Sequence, residues 1–138
     1  MDLGALYQEV ILEHNRSPKN YGPLDHSTGK AEGRNPLCGD EVTVWVTMEG
    51  DKVSDASFVG TGCAISKASA SMMTQAVKGK TRAEAEALFG HFHGLVTGQE
   101  TTPDPALGKL KVFAGVARFP TRVKCASLAW HALKEAIG

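Results

Sequence analysis

The 138-residue chain has no apolar run that approaches a membrane span. Its first residues, Met1-Asp2-Leu3-Gly4, lack the basic segment and apolar stretch of a secretory leader. Neither sign of charge is in excess, with 15 Lys and Arg against 15 Asp and Glu. A general nucleic-acid binder carries a basic excess, so neither nucleic acid nor membrane is expected as a partner. Cysteine is scarce: there are three, an odd number that leaves any single disulfide with a spare thiol. The expected compartment is the cytoplasm, where thiols stay reduced and widely spaced cysteines serve metals or catalysis more often than disulfides. A hydrophobic fraction of 42% supports an ordinary core at this length, so residues 1–138 are expected to form one domain.

What is present is a clear alternation of patterns. Leu3, Leu6, Tyr7, Val10 and Ile11 fall on one helical stripe that ends at Ser17-Pro18. Val42, Val44, Val46 and Met48 alternate along a strand over 41–48, and Glu49-Gly50-Asp51-Lys52 turns into a second strand over 53–59. A third strand is expected near Gly29 to Arg34. Helical spacing returns from Ala64 to Val77, with Ser66, Lys67, Ser69 and Ser71 read as its polar face. Thr81 and Glu84 have capping-box spacing and open a helix to about Phe92. A loop over 98–103 precedes a helix opened by Asp104-Pro105. The last helix follows Phe119-Pro120 and places Cys125, Ala129, Ala132, Leu133, Ala136 and Ile137 on one stripe. The order predicts an α+β fold, a small antiparallel sheet of about three strands with helices packed on it.

The candidate site residues are Cys38, Asp40, Cys63 and Cys125. Three thiols and a carboxylate are the donor types that surround zinc or hold an iron–sulfur cluster. Each sits at an element boundary beside Gly or charge: Cys38-Gly39-Asp40, Gly60-Thr61-Gly62-Cys63 and Lys124-Cys125. Cys63 and Cys125 are both expected at helix N-termini, where unpaired N–H groups favour a thiolate. Asp40, the harder donor, is expected to be the most easily displaced. Lys124, Arg122 and Arg34 are the expected compensators of the site's negative charge. The separations match no compact zinc-finger pattern, and each residue alone has an ordinary structural reading; their joint placement carries the signal. His91 and His93, two apart, do not share a helix face. His131 reads as surface or packing, and His14 and His26 carry no signal.

Asn35-Pro36-Leu37-Cys38-Gly39-Asp40, Gly60-Thr61-Gly62-Cys63-Ala64-Ile65-Ser66 and Arg122-Val123-Lys124-Cys125-Ala126-Ser127 resemble the three signature segments of the IscU/NifU-like iron–sulfur assembly proteins. The opening run from Leu6 to Asn20 is similar too, so the resemblance spans essentially the whole chain. Within the family the chain resembles the SufU branch. Lys124 stands where the IscU scaffold branch has His, and the segment from Gly79 to Gly115 is longer than in that branch. The resemblance implies that Cys38, Asp40, Cys63 and Cys125 are ligands of Zn2+, with Cys38 the sulfur-accepting, catalytic cysteine. It further implies a zinc-dependent sulfurtransferase that takes persulfide sulfur from a SufS-type cysteine desulfurase and passes it to downstream assembly proteins. The alternative is a scaffold on which the same residues hold a [2Fe–2S] cluster for transfer to apo-protein clients. Purely structural zinc stands behind both. A zinc hydrolase stands last, since no His cluster or neighbouring Glu base is present.

Overall fold

The computed structural model describes residues 3–36, 39–99 and 105–138, with side chains from residue 8 onward. Helix α1 (Leu3–Arg16) is followed by strands β1 (Gly29–Asn35), β2 (Asp40–Glu49) and β3 (Lys52–Thr61). Helices α2 (Ala64–Val77) and α3 (Arg82–Thr97), a 3₁₀ segment (Pro105–Arg118) and helix α4 (Pro120–Ile137) complete the order. The sheet is antiparallel with strand order β1-β2-β3, and helices cover one face of it, as the alternation in β2 predicts.

One face of β2 carries Asp40, Val42, Val44 and Val46, all buried, while Glu41 and Glu49 are exposed. Period-2 alternation fixes this register, because a one-residue slip would turn every valine to the opposite face. β1 presents Gly29, Ala31, Gly33 and Asn35 with the same parity, and α4 lies across it. The small residues are needed for that approach: a Cβ at Gly29 would sit 1.9 Å from the Ala136 carbonyl oxygen. On α4, Cys125, Ala129, Ala132, Leu133, Ala136 and Ile137 are all buried, as the stripe predicts. Trp130 stacks on Phe92 at 4.6 Å, and Phe92 meets Phe113 edge-on at 5.6 Å, which joins α4, α3 and the 3₁₀ segment. Fully burying one such side chain contributes roughly 1.5–3 kcal/mol.

Four readings need correction. Helix α3 has the predicted capping box but runs on to Thr97, where Gly98 at φ +81° caps it. The segment after Pro105 is 3₁₀ rather than α-helical and breaks at Gly108 (φ +53°, ψ −127°). Ser66, Ser69 and Ser71 are buried rather than a polar face, because α2 lies between α1, α4 and β3. Each buried hydroxyl of the last two is matched: Ser69 Oγ donates to the Ala126 carbonyl at 2.6 Å and accepts from Trp130 Nε1 at 3.1 Å. Ser71 Oγ accepts from Lys19 N–H at 2.7 Å and meets His14 Nδ1 at 2.6 Å. His14 therefore belongs to the α1–α2 interface, and burial, the largest influence on it, holds its pKa below the ordinary value. Among the described residues no helix is long and apolar enough to cross a membrane.

Candidate metal centre

The sheet's covered face ends in two polar residues, Asn35 on β1 and Asp40 on β2, which are register partners. Asp40 is wholly buried and Asn35 nearly so. The chain leaves β3 at Thr61 and enters α2 through Gly62 and Cys63 directly beside this pair. Gly62 holds φ +124°, and a Cβ there would fall 2.1 Å from Asp40 Oδ1. Only glycine lets the strand–helix turn close this tightly on the carboxylate.

That approach binds Asp40 and Cys63 to each other. The Cys63 N–H donates to Asp40 Oδ1 at 2.7 Å, and the Cys63 thiol lies 3.5 Å from Asp40 Oδ2. Cys63 is the N-cap of α2, with Ser66 N–H donating to its Sγ at 3.4 Å. Sulfur thus takes the place that a Ser or Asp oxygen fills at most helix starts. Cys125 arrives from the other side on α4. It does not sit at that helix's N-terminus, where it was expected, but is the sixth residue of the helix that Pro120 opens. Its thiol donates to the Thr121 carbonyl at 3.6 Å, so the helix dipole is not what distinguishes it.

One ligand atom each from Asp40, Cys63 and Cys125 lie within 4.8 Å of one another. Cys38 lies outside the described residues, and so does Leu37. The next residue, Gly39, donates its N–H to the Asn35 carbonyl at 2.8 Å. Two sulfurs and a carboxylate oxygen, with the oxygen fully buried beside them, are a donor set suited to zinc. The Asp40 carboxylate is tied by the Cys63 amide, a support that sequence reasoning did not supply.

The basic residues divide. Lys124 is exposed on the wall of an open groove of about 410 Å³ beside the centre, which Pro36, Val123, Ser127 and His131 also line. Arg122 lies over the exposed Phe119 ring at 5.5 Å, and Arg34 pairs with Glu41 at 2.8 Å. His93 and His131 line the same groove, and burial, then the nearby charges of His93 and Lys134, lower the His131 pKa. His91 and His93 lie within α3, before its last turn.

Two contributors escaped the sequence reading. Asn35 donates from Nδ2 to Cys125 Sγ at 3.9 Å. Its inward parity with Ala31 was the available signal, had β1 been carried one residue further. The Ser69–Trp130 bond, which sets α2 against α4 and hence Cys63 against Cys125, had no local signal.

A model of the NifU-like N-terminal domain matches residues 6–126. The iron–sulfur cluster assembly scaffold protein IscU of Streptococcus pyogenes serotype M1 is 47% identical over 135 residues, covering 98% of this chain and 84% of that protein. The zinc-dependent sulfurtransferase SufU of Bacillus subtilis (strain 168) is 42% identical over 136 residues, 99% of this chain and 92% of that one. The crystal structure of a putative SUF-system scaffold from Fervidobacterium islandicum AW-1 superposes with a TM-score of 0.89 at 36% identity, covering 97% and 98% of the two chains. The chain belongs to the NifU-like N-terminal domain family of iron–sulfur cluster assembly proteins.

Proposed function

We propose that this chain is a SufU-type, zinc-dependent sulfurtransferase that accepts persulfide sulfur on Cys38 from a SufS-type cysteine desulfurase. The observation that carries the reading is the convergence of a buried carboxylate and two thiols, Asp40, Cys63 and Cys125, with Cys38 two residues before Asp40 in the sequence. These four residues would hold Zn2+, which keeps coordinated sulfurs deprotonated and shielded from oxidation when it is bound. The similarity to the B. subtilis sulfurtransferase supports zinc.

The chain's own part in transfer follows from its chemistry. The Cys38 thiolate attacks the outer sulfur of the partner's persulfide. The partner's S–S bond breaks, its cysteine leaves as a thiolate, and the new S–S bond leaves the persulfide on Cys38. No external oxidant or reductant is consumed. Lys124, exposed beside the centre, supplies positive charge to the anionic persulfide, and the adjacent groove gives the partner's segment room to approach. Replacing Cys38 by Ser abolishes stimulation of the desulfurase; full stimulation by that variant would sink the proposal.

A second reading is favoured by the 47% identity to the S. pyogenes scaffold protein. The same four residues would then carry a [2Fe–2S] cluster as cargo for apo-protein clients. Anaerobic reconstitution, followed by transfer of the chromophore to an apo-ferredoxin, separates the two.

A further inference from the structure

Asn35 makes contact with Asp40, with the Gly39 amide and with Cys125. Its backbone pairs with Asp40 across β1 and β2, and its carbonyl accepts the Gly39 N–H. Its side-chain Nδ2 reaches Cys125 Sγ on α4. An amide is a costly side chain to bury, and at 6% exposure this one is justified only by what it bonds. We propose that Asn35 is the positioning residue of the centre, aiming Cys125 Sγ toward Asp40 and Cys63 through its N–H and stabilising that sulfur as an anionic ligand.

Two contacts of Cys125 Sγ have opposite polarity. As a thiol it donates its hydrogen to the Thr121 carbonyl. A metal-bound thiolate has no hydrogen to donate, so that contact no longer attracts. The contact with Asn35 has the opposite polarity: the amide donates, and it strengthens when sulfur carries charge. The Asn35 amide therefore keeps its bond to the sulfur when that sulfur serves as a ligand, whereas the Thr121 carbonyl does not. Bonds from outside the coordination sphere fix a ligand's direction and commonly change metal affinity 10–100-fold, by about that much when lost. Aspartate has the same shape but sets a carboxylate against the sulfur, and its effect should be larger than that of alanine.

The inference rests on the reading of the centre as a zinc site. The test compares the full-length chain with Asn35→Ala and Asn35→Asp, by zinc affinity in chelator competition and by the thiolate-to-cobalt charge-transfer band of the Co2+ forms. Folding of each is checked by circular dichroism. The expected result is a zinc affinity about 10–100-fold weaker for Asn35→Ala, weaker still for Asn35→Asp, with the band moved to lower energy in Asn35→Ala. Should Asn35→Ala fail to fold, the isosteric Asn35→Asp, which keeps the backbone bonds, carries the comparison. Wild-type affinity and an unmoved band in a folded variant would overturn the positioning role and leave the zinc reading standing. A wild-type chain that binds neither metal would overturn both.

Discussion

Alanine at Gly62 measures how closely the centre is built. The residue holds φ +124°, and its Cβ would fall 2.1 Å from Asp40 Oδ1 and 2.8 Å from Asp40 Cα. The second clash is with backbone, so turning the carboxylate aside does not relieve it. Backbone strain of this kind costs about 1–3 kcal/mol. Displacing Asp40 also breaks the bond from the Cys63 N–H to its carboxylate, which contributes roughly 1.5–3 kcal/mol. The combined loss is about 2.5–6 kcal/mol, divided between folding and metal binding. Gly50→Ala is the matched control. Gly50 also has positive φ, +62°, but nothing lies within 4 Å of its Cβ. It pays only the left-handed backbone penalty of about 1–2 kcal/mol and leaves the centre intact. Urea denaturation reads the first part and chelator competition the second. Gly62→Ala is expected to weaken zinc binding by about tenfold or more, with Gly50→Ala unchanged. Equal stability and equal zinc affinity in the two variants would refute the close-approach argument.

Ser69→Ala removes the partner of Trp130 Nε1, a donor on a wholly buried ring, and is expected to destabilise the chain by about 1–3 kcal/mol; an unchanged urea midpoint would contradict this. His14 gives a pH dependence. Burial lowers its folded pKa against an opposing Glu13, with Lys19 and Lys109 acting in the same direction as burial. The unfolded chain therefore binds the proton more readily. The resulting stability is fully present above the unfolded value of about 6.5 and falls as pH drops toward the lowered folded value. His14→Gln should flatten the stability profile below about pH 6.5, and a slope equal to the wild type's there would assign the dependence to another group.

The sheet was legible because β2 alternates without interruption from Asp40 to Val46, and the α3 start because Thr81 and Glu84 form a local motif. The end of α3 was not, because Gly90 and Gly94 lie inside a helix that packing holds together. The 3₁₀ segment misled because its apolar spacing resembles a helix while Gly108 turns the backbone out of one. Cys125 was placed too near a helix start, although Pro120 as the opening residue already puts it beyond the first turn. The buried serines were judged by residue type, and their partners His14 and Trp130 are more than fifty residues away in sequence. Asp40, Cys63 and Cys125 were singled out from chemistry at element boundaries, and the structure places ligand atoms of those three within 4.8 Å of one another. The Asn35 amide was missed because a bond from one strand's end to a distant helix has no spacing rule.

The most direct measurement is the turnover of a SufS-type cysteine desulfurase with and without the zinc-loaded chain, followed by mass mapping of the persulfide. Strong stimulation with the extra sulfur on Cys38 is the predicted result. No stimulation, with an iron–sulfur chromophore forming on the chain instead, would contradict sulfur transfer as its function.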